Sequence, residues 1–208
     1  MRPVRLFLLL TLWLLLSACS PSQQPLPLLS HDAVILAFGD SLTYGSGAAA
    51  DQSYPAILEA ITGRQVINAG VPGEISATGL ERLPGLLDRY RPDLLLLCHG
   101  GNDMLRRQDI AQMENNLQQM IQLARERDIP VVLLSVPAPS ISGAVLGLSG
   151  AAEYRRLARA NGIPLEEDII ARVLSDQQLK SDQIHPNAAG YRQMAEAVYS
   201  LLQKAGAL

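Results

Sequence analysis

Four short apolar runs limit what this chain can fold into more than any other feature. They are Ala33–Phe38, Val66–Ala69, Leu94–Cys98 and Val131–Val136, and each is nearly continuous. A strand with one wet face alternates apolar and polar residues, so runs of this kind fit strands buried on both faces. Between them the apolar residues recur at helical spacing. Tyr54, Ile57, Leu58 and Ile61 make one stripe, and Leu80, Leu83, Leu87 and Tyr90 a second, in which Pro84 predicts a kink or a first turn. Ile110, Met113, Leu117, Met120, Ile121 and Ala124 make a third. Ala151–Ala160 reads as helix, with a short strand expected near Ile163–Leu165. Glu166, Glu167 and Asp168 favour a helix start before Ile169. A closing helix carries Tyr191, Met194, Ala195, Val198, Leu201 and Leu202, with Asn187 as its N-cap.

Strands alternating with helices predict an α/β fold whose parallel sheet is covered on both sides by right-handed crossovers. Open sheets of this kind bind ligands beyond the carboxyl ends of their strands. Chemistry is therefore expected just after Phe38, Ala69, Cys98 and Val136.

The first three of those positions hold polar residues and glycines, and a fourth polar block lies near the C-terminus. Gly39-Asp40-Ser41 follows the first run, Asn68 to Gly73 spans the end of the second, and Gly100-Gly101-Asn102-Asp103 follows the third. The late block is Asp182-Gln183-Ile184-His185-Pro186-Asn187. Each alone is ordinary loop composition. Together they supply a mechanism. A serine hydroxyl is a poor nucleophile until a base takes its proton. Of the three histidines, only His185 has a carboxylate three residues before it, so one turn can aim Asp182 at one ring nitrogen while the other faces Ser41. The oxyanion formed by attack on an ester needs donors placed beforehand. Ser41 N–H, Gly73 N–H and the Asn102 side-chain amide are the candidates.

The set Gly39-Asp40-Ser41-Leu42, Gly73, Gly101-Asn102-Asp103 and Asp182-x-x-His185 resembles the four blocks of the GDSL, or SGNH, hydrolases. The stretch from Gly73-Glu74 to Gly100-Gly101-Asn102-Asp103 is most similar to the bacterial thioesterase I/protease I/lysophospholipase and arylesterase type, and the similarity runs from about Ile35 to Tyr191. The resemblance implies a flavodoxin-like three-layer α/β/α sandwich. It also implies Ser41 as nucleophile, His185 as base and acid, Asp182 as its orienting partner, and Gly73 and Asn102 completing the oxyanion hole. Neither cofactor nor metal is required by that mechanism. Asp40 and Asp103 are expected to accept backbone N–H bonds and brace their loops. His99 is expected to be a hydrogen-bonded strand-end residue, with a role behind the oxyanion loop as the alternative. Cys98 is expected in the core.

The chain opens with Arg2 and Arg5, an apolar run Leu6–Leu16 too short for a comfortable membrane span, and Ser17-Ala18-Cys19. This is the layout of a secretory signal peptide, and it resembles the lipobox of bacterial lipoproteins. Residues 1–18 are thus expected to be a signal peptide, with lipidation at Cys19 and a flexible tether over 19–32. Ser20 rather than Asp after Cys19 leans, by that resemblance, toward the periplasmic side of an outer membrane. About 175 residues from Ala33 to Leu208 then form one domain, expected as a monomer. The net charge is -3 and the body has no Lys/Arg run, which argues against nucleic acid as a partner.

Pro137 to Gly150 is apolar, Gly-rich and uncharged. It is expected to border the site, with Ile141, Val145, Leu146 and Leu148 lining an acyl or aryl pocket, or else to be a partly ordered loop or small helix packed on the sheet. The leading expectation is a lipid-anchored serine esterase, lysophospholipase-, arylesterase- or thioesterase-like, acting on acyl esters or thioesters at the cell envelope. The alternatives are a carbohydrate O-acetyl esterase of the same family, which an aromatic content of 4% mildly disfavours, and a non-catalytic ligand-binding lipoprotein.

Overall fold

The computed structural model describes residues 25–138 and 151–208. Among the described residues, five strands form one parallel sheet: β1 (Val34–Gly39), β2 (Gln65–Gly70), β3 (Leu94–Cys98), β4 (Val131–Leu134) and β5 (Leu165–Glu166). Their order across the sheet is β2-β1-β3-β4-β5. Successive side chains on a strand point to opposite faces. Ile35 to Phe38 and Leu94 to Cys98 are all fully buried, so both faces of the central strands are covered.

The helices are α1 (Ser41–Tyr44), α2 (Tyr54–Thr62), α3 (Ser76–Tyr90), α4 (Gly101–Leu105), α5 (Ile110–Arg125), α6 (Ala152–Asn161), α7 (Ile169–Ser175) and α8 (Ala188–Lys204). The chain moves from β1 outward to β2 through α2, then back across to β3 through α3. Right-handed crossovers in opposite directions put those helices on opposite faces. α8 packs on α2 and α5 packs on α3, which completes the three layers. The direction reverses between β1 and β3, and in such sheets ligands bind at that point.

The expected elements are present, with local corrections: β2, an edge strand, buries only Val66 rather than both faces, and β5 covers Leu165–Glu166 rather than Ile163–Leu165. Ile61 is 41% exposed, because α2 turns that position outward past its buried Tyr54, Ile57 and Leu58. Pro84 lies inside α3 rather than in a first turn, since the helix already starts at Ser76. The run Val131–Val136 outlasts its strand, which ends at Leu134 where the short partner β5 ends. Asn187 caps α8 by accepting from Ala189 and Gly190 N–H at 3.0 and 3.1 Å, and Glu166 accepts from Ile169 N–H at 3.1 Å ahead of α7.

The stretch expected to be a flexible tether is pinned to the body by Leu26. Leu26 N–H donates to Ala205 C=O at 2.8 Å and Leu29 N–H to Ala207 C=O at 2.9 Å, beyond the end of α8. Arg64, just before β2, holds the carbonyls of Ser30 and Leu29 at 3.1 and 3.0 Å. Residues 25–33 therefore run along the amino-end side of the sheet.

Candidate active site

Ser41 starts α1 directly off the carboxyl end of β1. The buried Asp40 caps that turn, accepting Leu42 N–H at 3.0 Å. The helix lies so close on the sheet that side chains are excluded beneath it. A Cβ on Gly39 would come within 2.1 Å of Cys98 C=O, and one on Gly70 within 2.1 Å of Tyr44 N. These two glycines let the serine corner sit down between β1, β2 and β3.

His185 reaches Ser41 from a loop closed on itself. Lys180 and Pro186 pair as an antiparallel bridge, and Ser181 N–H donates to His185 C=O at 2.9 Å. His185 Nε2 lies 3.0 Å from Ser41 Oγ, and His185 Nδ1 lies 2.8 Å from Asp182 Oδ2. The other oxygen, Asp182 Oδ1, accepts Ile184 N–H and His185 N–H, both at 2.8 Å. Partial burial works to raise the Asp182 carboxyl, but the bonds from the His185 ring and from these two amides hold it below its usual range. A carboxylate at Nδ1 keeps the ring proton there and leaves Nε2 free to accept from the serine hydroxyl. This is the geometry in which a hydroxyl can be deprotonated as it attacks.

Gly73 and Asn102 stand on the neighbouring strand ends. Gly73 has φ of +78°, a left-handed conformation that suits glycine, and its C=O accepts from Arg106 Nη2 at 2.7 Å. Asn102, in α4, donates from Nδ2 to Glu74 C=O at 3.0 Å and to Asp40 Oδ2 at 3.2 Å. Its amide is thus tied both to the Gly73 loop and to the cap of the serine turn. Asp103 accepts Ser76 N–H at 2.8 Å and Ser76 Oγ–H at 2.6 Å, fixing α4 to the first turn of α3. Both aspartates brace loops as expected. Burial pushes the Asp40 carboxyl up, partly offset by the hydrogen bonds from Leu42 N–H and Asn102 Nδ2. Cys98 is fully buried, and that burial pushes its thiol up as well.

Ser41, Asp182, His185, Gly73 and Asn102, predicted from separate stretches of sequence, thus converge on one end of the sheet. Ile141, Val145, Leu146 and Leu148 lie outside the described residues, as does Cys19. Sequence reasoning missed Glu74 and Arg82. The Glu74 carboxylate is buried behind Gly73, taking Arg82 Nε at 2.9 Å, Arg82 Nη2 at 2.6 Å and His99 Nε2 at 3.0 Å. Their only signal was a Gly-Glu pair and an arginine beside a helix stripe, neither of which specifies a partner.

The GDSL-like lipase/acylhydrolase family model matches residues 37–193. The chain is 33% identical over 156 residues to thioesterase 1/protease 1/lysophospholipase L1 of Escherichia coli K12, covering 74% of this chain and 75% of that one. It is 32% identical over 199 residues to esterase TesA of Pseudomonas aeruginosa, covering 91% and 97%. A solved crystal structure of TesA superposes with a TM-score of 0.74 at 30% identity, over 83% of this chain and 99% of that one. With the strand order, the site at the carboxyl ends and these likenesses together, the chain belongs to the GDSL-like lipase/acylhydrolase family and is a carboxylic ester hydrolase.

Proposed function

We propose that the chain hydrolyses acyl esters through an acyl-enzyme on Ser41. His185 Nε2 takes the Ser41 proton as Oγ attacks the ester carbonyl, then gives it to the departing alcohol. A water deprotonated by the same nitrogen releases the acid and restores the serine. Asp182 holds the ring in the required tautomer and stabilises its charged form. Ser41 N–H and Gly73 N–H receive the oxyanion, joined by Asn102 Nδ2, which turns one of its two hydrogens away from Asp40 Oδ2 to do so. The unbroken line Ser41 Oγ–His185–Asp182, at 3.0 and 2.8 Å, is the observation that carries this reading. It also weighs against the non-catalytic alternative. A fluorophosphonate probe tests it: stoichiometric labelling of the wild type that vanishes in Ser41→Ala supports the nucleophile, whereas equal labelling of both removes it.

Apolar acyl substrates suit the surroundings of that line. Among the described residues, Tyr44, Val71, Leu105, Ile110 and Ile184 are large exposed apolar side chains in segments that follow strand carboxyl ends or carry His185. We further propose export and lipidation at Cys19, on the strength of Arg2, Arg5, Leu6–Leu16 and Ser17-Ala18-Cys19. That location, on the periplasmic side of the outer membrane, favours oxygen esters such as lysophospholipids over cytosolic coenzyme A thioesters. Mass spectrometry of the membrane fraction tests it, since Cys19→Ser should lose both the acyl mass and the membrane association.

A further inference from the structure

His99 is fully buried at the end of β3 and takes no part in the Ser41–His185–Asp182 line. Its ring makes two hydrogen bonds. Nδ1 accepts Gly100 N–H at 3.0 Å, from the residue that caps α4 two positions before Asn102. Nε2 lies 3.0 Å from Glu74 Oε2, on the residue that follows Gly73. A backbone N–H can only donate, so Nδ1 accepts and the ring proton sits on Nε2, pointing at the carboxylate. Asn102 Nδ2 closes the circuit onto Glu74 C=O at 3.0 Å. A single ring thus joins the loop of Gly73 to the helix of Asn102.

The circuit is anchored firmly. Arg82 grips both oxygens of Glu74, donates to Ala69 C=O at 3.1 Å at the end of β2, and lies 4.4 Å over the Phe38 ring. Tyr154 Oη–H donates to His99 C=O at 2.7 Å. α3 leaves room for the imidazole only because residue 79 is glycine: a Cβ there would lie 2.5 Å from His99 Nε2. Packing alone does not call for such an arrangement, since well-packed apolar side chains commonly replace a buried ionic cluster without loss of stability. Holding two loops at one spacing does call for it.

We propose that His99 is a positioning residue for the oxyanion hole, setting the placement of Gly73 N–H relative to Asn102 Nδ2 through its two hydrogen bonds. This rests on the reading of Gly73 and Asn102 as oxyanion donors. Misaligned donors matter where charge develops, so the loss falls on kcat and leaves KM nearly unchanged.

The test uses His99→Gln, whose amide nitrogen can still reach Glu74, and His99→Asn, whose amide oxygen can still take Gly100 N–H. Each retains half of the bridge. With p-nitrophenyl esters, each variant is expected to lose about 10- to 100-fold in kcat, less than deletion of a whole donor, with KM within about twofold. Binding of a boronic acid, which forms a tetrahedral anion on the serine, should weaken by the same factor as kcat/KM. Circular dichroism and active-site titration by a fluorophosphonate confirm that each variant is folded and fully active in number. Asn102→Ala runs in parallel, and the double variant with His99→Gln should lose less than the product of the two single losses. A His99 variant with wild-type kcat beside a slow Asn102→Ala would overturn this inference alone. Slow variants with unchanged boronate affinity would also overturn it. An Asn102→Ala enzyme of undiminished kcat would bring down the oxyanion reading and this inference with it.

Discussion

Glu74 keeps a carboxylate almost wholly out of water, and that has a pH signature. Burial alone would raise its carboxyl, but the hydrogen bonds from His99 and Arg82 and the charge of Arg82 outweigh it and hold it at about 2, against an ordinary 4.5. A depressed carboxyl contributes stability that is complete above the unfolded value and is lost as pH falls toward the folded one. Unfolding midpoints in urea should therefore drop between about pH 4.5 and pH 2 more steeply for the wild type than for Glu74→Gln, with the gap between them closing at the acid end. Parallel curves would contradict the pairing. At Asn102, substitution by Ala removes a donor worth roughly 100- to 1000-fold in kcat in comparable sites, and steady-state kinetics on p-nitrophenyl acetate would measure it. Legibility at this scale depended on distance along the chain. Asp182 and His185 were readable as a pair because three residues make one turn, and Ser41 because its block is compact. Glu74 and Arg82 lie eight residues apart around the start of α3, but His99 comes from the end of β3 and meets them only after the sheet has formed, so the three-way partnership left no trace in spacing.

α3 contains two glycines whose substitution should act in opposite directions. Gly85 is exposed, and a Cβ there meets nothing within 4 Å, so Gly85→Ala should stabilise the protein by about 0.5–1 kcal/mol through helix propensity. Gly79, two turns earlier in the same helix, faces the His99 ring, where an added Cβ would lie 2.5 Å from Nε2, and Gly79→Ala should lower both thermal stability and kcat. Paired melting curves decide the sign. Among the strands, β1 and β3 were legible because burial on both faces writes an unbroken apolar run. The helices were legible as stripes, but stripes do not say where a face ends. Ile61 keeps the period of its stripe and still lies outside. Pro84 is tolerated inside α3, which the stripe alone could not tell from a helix start.

The alternation of strands and helices indicated the layered architecture, and the position of the polar blocks indicated which end of it does chemistry. The sequence does not state strand order; that emerges from which crossovers run outward and which return, and the placement of Asn102 beside Ser41 follows from it. A second consequence concerns the other pole of the molecule. Pro25 to Leu29 lies against Ala205 and Ala207, past the end of α8, while Asn187 at the start of that helix adjoins His185. The helix is 17 residues long, which separates those poles by about 25 Å. Immobilising the protein by a biotin placed ahead of Pro25 should accordingly leave kcat/KM for soluble p-nitrophenyl esters within about twofold of the free enzyme, read by turnover on streptavidin beads. A copy held at that end on a bead presents its catalytic mouth to the medium, so esters arriving from solution reach Ser41 without passing the support.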